Sequence, residues 1–299
     1  MYNFTFLTKE QCFGIQKLDI FKKRGARAAI TDFSVLLGGT IYAYCVGDDY
    51  TRLENRTGCY WTKSKYNDED VVTVDCDGTE IADYIENERV GVRPVIEFSS
   101  IDSIPTNGEK PQRARDGVLE VEYGYYPQQA APINVQKELD KEFKSGILKE
   151  TKNTFTLDIC GNRLENYSPY ELKEYEYKGK RYARVESFAT WWKKGPLSNG
   201  QSCGRGEIVW VEVSPVKWLV DEKNNMMVSE KIVFSGVEFD YRVDCKFDNH
   251  GTNFNKTNIY KTLNENFGRD LVQSRENGVI KRVQEGLTKR IRDDDERER

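Results

Sequence analysis

Gly91-Val92-Arg93-Pro94-Val95-Ile96-Glu97-Phe98 is the stretch on which the fold turns. Val92, Pro94, Ile96 and Phe98 alternate with Arg93, Val95 and Glu97, so they share one face of a strand. The proline puts that strand at an edge or marks its start. Upstream lie Gly58-Cys59-Tyr60-Trp61-Thr62 and a second strand, Val71 to Cys76, with Val72, Val74 and Cys76 on one face. Downstream, Tyr123-Gly124-Tyr125-Tyr126-Pro127-Gln128 leads, much later, to Pro215-Val216-Lys217-Trp218-Leu219-Val220.

Working outward, Thr8-Lys9-Glu10-Gln11 fits a capping box and predicts one helix reaching about Arg24. Ala26 to Leu37 is apolar and ends at Gly38-Gly39. Ser99 to Gly117 carries turn chemistry and basic residues, which predicts a linker over 106–116. Val118 to Tyr123 resumes strand character. Asn134 can cap a helix with Val135, Leu139, Phe143 and Ile147 on one face. Lys178-Gly179 predicts a hairpin between Glu174–Tyr177 and Arg181–Val185, acidic opposite basic. Ile208–Val213 and Val216–Val220 read as strands, and Asp221–Asn225 turns into Met226-Met227-Val228. Thr257 caps a helix with Ile259, Leu263 and Phe267 aligned and Gly268 as its C′ residue. Ile280, Val283, Leu287 and Ile291 form a further helical stripe before a charged end. The expected organisation is 1–105, a linker at 106–116, 117–279, and a charged tail at 280–299.

Composition excludes several classes. Of 299 residues, 38% are hydrophobic and 12% aromatic, ample for a packed core, while 31% are charged. The formal net charge of −4 lacks the basic footprint of a general nucleic-acid binder. No apolar run reaches the length of a membrane span, and the N-terminus has no signal-peptide pattern, so a cytoplasmic protein is expected. The seven cysteines, Cys12, Cys45, Cys59, Cys76, Cys160, Cys203 and Cys245, are odd in number and form no C-x-x-C, which reads as reduced thiols. One histidine, His250, sits in turn composition; His-based triads and multi-histidine metal sites cannot be assembled from it. Metal and cofactor are therefore both expected to be none.

The block from Gly58 to Ser64, the strand after it and Gly91–Ile96 resemble the C-terminal signature of a large uncharacterised bacterial and phage domain family. That family is related to the formylglycine-generating-enzyme branch of the C-type-lectin-like fold. Tyr123–Gln128, Pro215–Val220, Ser229–Ile232 and the Asn258–Phe267 helix resemble its N-terminal half. The resemblance spans most of 1–275 and implies an α+β, C-type-lectin-like fold with mixed, mostly antiparallel sheets and few short helices, its halves in permuted order. Formylglycine-generating oxidases resembling this fold bind copper through a cysteine pair; Cys59 and Cys76 are the candidates here, but their spacing does not match. Sulfoxide-synthase relatives need three histidines, which this chain lacks.

The resemblance implies a scaffold whose irregular loops meet ligands ahead of the closing strands. The corresponding residues are Tyr60, Trp61, Lys63, Lys65, Tyr66 and Asp68, with Asn67, Glu69 and Asp70 beside them. Aromatics interleaved with charges suit recognition; the competing reading makes Tyr60 and Trp61 core. Trp191-Trp192-Lys193-Lys194 pairs stacking faces with positive charge and is a second candidate surface. Asp75–Glu86 echoes a calcium loop, but Glu80 stands where the sharp turn needs glycine. The expected function is a non-enzymatic binding module, phage- or mobile-element-associated, for a protein or carbohydrate partner. The alternatives are a cysteine-dependent oxidase on the same scaffold or a structural part of a virion or surface assembly.

Overall fold

The computed structural model describes residues 2–41, 56–67, 69–158, 169–189, 195–240 and 254–274. Its strands are β1 (Phe4–Thr5), β2 (Ala28–Ile30), β3 (Thr57–Gly58), β4 (Tyr60–Lys65), β5 (Asp70–Val74), β6 (Glu80–Tyr84), β7 (Val95–Glu97), β8 (Gln112–Arg113) and β9 (Leu119–Ala130). They continue with β10 (Lys149–Leu157), β11 (Tyr170–Tyr177), β12 (Lys180–Glu186), β13 (Gly195–Pro196), β14 (Ser202–Cys203), β15 (Ile208–Asp221), β16 (Met226–Ser229) and β17 (Lys231–Ile232). The helices are α1 (Lys9–Cys12), α2 (Asp19–Arg24), α3 (Asp32–Leu36), α4 (Ile133–Lys144) and α5, which starts as Asn258–Lys261, passes through a π-helical stretch (Thr262–Phe267) and continues over 268–274. The fold is mixed α+β, with mostly antiparallel sheets and few helices.

The long strand β15 organises the main sheet. It pairs along one edge with β9, while β12 and β16 share its other edge at opposite ends. On the β12 side the sheet continues through β11 to β10; on the β16 side it continues through β7 to β1. Strands from residues 1–105 and from 117–279 therefore lie in one sheet. Two smaller three-stranded sheets are β17-β2-β3, in which β17–β2 is parallel, and β4-β5-β6.

The 106–116 stretch is tied down rather than a free linker. The buried Asn107 donates its backbone N–H to Glu122 O at 2.9 Å, and its side chain bonds both backbone groups of Gly124. β8 then pairs with β9. The turn composition is real, but partners on β9 satisfy the backbone.

Several local expectations shift. The Thr8 capping box forms, but two short helices replace one, separated at Gly14, whose φ is +71°. The N-cap position of α4 is Pro132, with no side-chain cap, and Asn134 lies inside the helix; Ile147 lies beyond its end, 73% exposed. Leu139 is buried, and Val135 and Phe143 pack with it against Trp210 and Tyr175. Gly268 does not end the last helix: its φ is −63° and the helix runs through it. Its missing side chain instead makes room for Phe4, whose ring would lie 2.7 Å from a Cβ there. The stripe from Ile280 lies outside the described residues.

The Tyr123–Gln128 motif builds the centre of the main core. Tyr126 is fully buried, with Phe155 at 5.3 Å, Phe267 at 4.9 Å and Phe33 at 5.7 Å between ring centroids. Such edge-on contacts add to the area each ring removes from water. The early and late segments are also joined by a buried polar node. Asp32, at the start of α3, pairs with buried Arg56 and accepts from the Ala130 and Ser198 backbone N–H groups, each at 2.8 Å. A buried carboxylate stays charged only with such partners.

Candidate functional site

The β4–β5–β6 sheet carries most of the expected site residues and divides them sharply. Tyr60 and Trp61 are each 1% exposed and belong to the core, which corrects their assignment to a ligand surface. The Tyr60 hydroxyl donates to Ala26 O at 2.7 Å, and the Trp61 ring packs 5.3 Å from that of Phe239. Their large apolar area decides the matter: the strand's start is roofed by the rest of the molecule. Lys63 is half-buried and reaches Thr5 Oγ1 at 3.2 Å, so it staples β4 to β1. Lys65 and Tyr66 emerge at the far end; Tyr66 is 60% exposed. Asp68, Trp191 and Trp192 lie outside the described residues.

The turn that presents Tyr66 is built by Asn67. Its side-chain oxygen accepts from the backbone N–H groups of Glu69 and Asp70, at 2.8 and 2.9 Å, and its amide donates to the Asp70 carboxylate. Such an Asx turn fixes the backbone locally. Tyr66 N–H donates to Asp70 O at 3.0 Å, and Asp70 stands opposite Tyr84 in the register. Tyr84 is 67% exposed. Tyr66, Asp70 and Tyr84 thus form one row across three strands, two exposed phenol rings flanking a carboxylate. Ile81, also on β6 but opposite Thr73 in the register, is exposed on the other face of the sheet and does not join this row. The sequence reading missed Tyr84 and Ile81 because it treated 75–86 as a failed calcium loop; Glu80-Ile81-Ala82-Asp83-Tyr84 does not alternate polar with apolar, so periodicity offered no signal for this strand.

A second constellation lies at the other end of the same sheet. The pairing Tyr60↔Val74 sets Cys59 opposite Asp75 by simple extension of the register. The thiols of Cys59 and Cys76 are 3.5 Å apart, and both donate to Asp75 Oδ1, at 3.0 and 3.1 Å. Cys76 N–H donates to the same oxygen at 2.6 Å. The sequence distance between the cysteines had argued against any pairing; antiparallel strands remove that distance. Among the described residues, these three supply the one group of cysteine and carboxylate ligand atoms close enough to hold a metal. The other carboxylates of the loop do not converge on it: Asp77 accepts from Thr79 N–H and hydroxyl, and Asp83 from Asn87.

The Cys59 thiol and the Asp75 carboxyl are both shifted by their neighbours. The Cys59 thiol is held well above its ordinary value by the hydrogen bond with Cys76 and by burial. Burial pulls the Asp75 carboxyl upward, but the hydrogen bonds from both thiols and the Cys76 amide outweigh it and leave it below the usual value. The remaining described thiols, Cys12 and Cys203, are buried singly, and burial pushes Cys12 up to about 12. His250 lies outside the described residues. No helix among the described residues is long and apolar enough to cross a membrane. Compared with known protein families, curated proteins and solved structures, the chain matches none.

Proposed function

We propose that this chain is a non-enzymatic binding module for a protein or carbohydrate ligand, carried on a C-type-lectin-like scaffold with its halves in permuted order. The scaffold reading draws support from β7, an early strand, pairing with β16, a late one, as a permuted fold requires. The recognition face is the far end of the β4–β5–β6 sheet. One observation carries it: Tyr66 and Tyr84 stand exposed on either side of Asp70, on a backbone locked by Asn67. Exposed tyrosines offer large contact area at low entropy cost, and a rigid turn lowers the ordering cost of binding.

The test is a Tyr66→Ala/Tyr84→Ala variant beside the parent in glycan-array and affinity-capture experiments. Both changes are at exposed positions, so stability should stay within about 0.5 kcal/mol. Ligands captured by the parent should be lost. Retention of the same ligands at the same yield overturns this reading.

A further inference from the structure

From the Cys59–Asp75–Cys76 cluster we infer a binding site for a thiophilic divalent cation of the zinc class, independent of the recognition face. Two thiolates and one carboxylate suit Zn(II), Cd(II) or Co(II). In a tetrahedral site with metal–sulfur bonds of about 2.3 Å, two thiolate ligands stand about 3.8 Å apart. The Cys59 and Cys76 sulfurs are already 3.5 Å apart. A thiolate and a carboxylate oxygen on the same ion stand about 3.6 Å apart, and the two sulfurs lie 3.0 and 3.1 Å from Asp75 Oδ1. Opening the triangle by about half an ångström, within side-chain rotation, seats the ion.

The frame around the cluster is fixed by groups other than the ligands. Cys59 O accepts from Gly91 N–H at 2.8 Å, and Cys76 O accepts from the Thr57 hydroxyl at 2.7 Å. Asp75 closes its own turn, donating to Thr79 O and accepting from Gly78 N–H, both at 2.8 Å. Outer contacts of this kind orient the ligands of a metal site. Cys59 and Asp75 are half-buried, so the cluster meets solvent on one side. Binding converts two thiols and a carboxylate into a dithiolate–carboxylate complex and releases two protons to solvent. Three protein ligands leave a fourth position for water or an incoming ligand.

The test uses the full chain with Cys45, Cys160 and Cys245 replaced by serine, kept reduced, and titrated with Cd(II) and Co(II) as probes. The expected result is one ion per chain at micromolar concentration, with thiolate-to-metal charge-transfer absorption. Cys59→Ser and Cys76→Ser should each abolish that absorption and weaken binding at least about 100-fold. Asp75→Asn should keep the absorption and weaken binding about 10-fold. A second readout needs no substitution at the cluster: bound Cd(II) should protect Cys59 and Cys76 from alkylation by a maleimide. The inference is overturned if no absorption develops at micromolar ion, if it survives in Cys59→Ser/Cys76→Ser, or if Cd(II) leaves both thiols as reactive as before.

Discussion

The Asn264 side chain closes both backbone hydrogen bonds of Phe4, its oxygen accepting from Phe4 N–H and its amide donating to Phe4 O, each at 2.9 Å. The two residues are 260 positions apart in sequence. β1 pairs with β7 through its other edge, so Asn264 acts as the missing neighbouring strand. An asparagine can do this because it carries one donor and one acceptor in one plane. Asn264→Asp keeps the acceptor but sets a carboxylate oxygen against the Phe4 carbonyl, and Asn264→Leu leaves both backbone groups unpaired. Each variant should lose about 1–3 kcal/mol in urea unfolding, with the slope unchanged. An unaltered midpoint in both would show that β1 does not depend on this clamp.

Arg93 is buried between the rings of Phe21 and Tyr60, its guanidinium carbon 5.0 Å from each centroid. It donates to Ala26 O and Ser229 O at 3.0 Å and to the Tyr60 hydroxyl at 3.1 Å. The planar fork serves acceptors in different directions while both faces stack, which a lysine cannot copy. Arg93→Lys and Arg93→Met should each cost about 2–4 kcal/mol, because Ser229 O loses the guanidinium donor and Ala26 O keeps only the Tyr60 hydroxyl. Equal melting temperatures for parent and Arg93→Lys would contradict this.

Local chemistry was legible where periodicity or turn residues act within a few positions. Lys178 and Gly179 adopt the positive φ angles, +49° and +78°, that the hairpin requires. β7 falls inside the strand read from alternation, with Pro94 just before it, and β5 overlaps the strand read over Val71–Cys76 but starts one residue earlier and ends at Val74. Ile259, Leu263 and Phe267 are all fully buried, as their spacing implies. What sequence spacing hid was long-range: the thiol contact of Cys59 and Cys76, the burial of Tyr60 and Trp61, and the exposure of Tyr84. Each depends on which strands meet, and the period of two says nothing about partners.

Asp270 makes stability fall as pH rises through the acidic range. Burial pushes its carboxyl up to about 6, although the Thr156 N–H and Arg269 oppose that shift. Its unfolded value is near 3.9. The folded state therefore binds the extra proton between about pH 4 and 6, and its stability relative to the unfolded chain declines across that window. The shift corresponds to about 3 kcal/mol, lost on going from below pH 4 to above pH 6. Asp270→Asn still offers Thr156 an acceptor and has no charge to bury. The stability difference, parent minus variant, should drop by that amount across the window in urea titrations at several pH values. A difference independent of pH would refute the assignment.

Gly91 is glycine because of what stands over it. A Cβ there would lie 2.2 Å from Ile232 Cγ2 and 3.1 Å from Cys59 O. Its backbone is equally committed, donating to Cys59 O and accepting from Trp61 N–H. Gly91→Ala should destabilise by about 1–3 kcal/mol through overpacking. In an Ile232→Ala background, which removes the clashing methyl, the same change should cost distinctly less. A double-mutant cycle with no coupling would show that the clash is relieved elsewhere.

A fragment ending at residue 105 should not fold alone. Its strand β7 has β16 as one of its two neighbours, and β2 has β17. Asp32 would lose Ala130 and Ser198, Arg93 would lose Ser229, and Phe4 would lose Trp218 and Phe267 as ring neighbours. The fragment would retain the β4–β5–β6 sheet but expose the apolar faces that the later strands cover, and buried polar groups would lose their partners. The remainder, from residue 106, would in turn expose the edge of β16. The intact chain should therefore unfold in one cooperative transition, with tryptophan fluorescence and far-UV circular dichroism coinciding. Residues 1–105 should show no sigmoidal melt by themselves and should regain one when mixed with residues 106–299. A cooperative melt of the isolated fragment, at any denaturant concentration, would mean that the two segments are separate domains and that the shared sheet is only an interface between them.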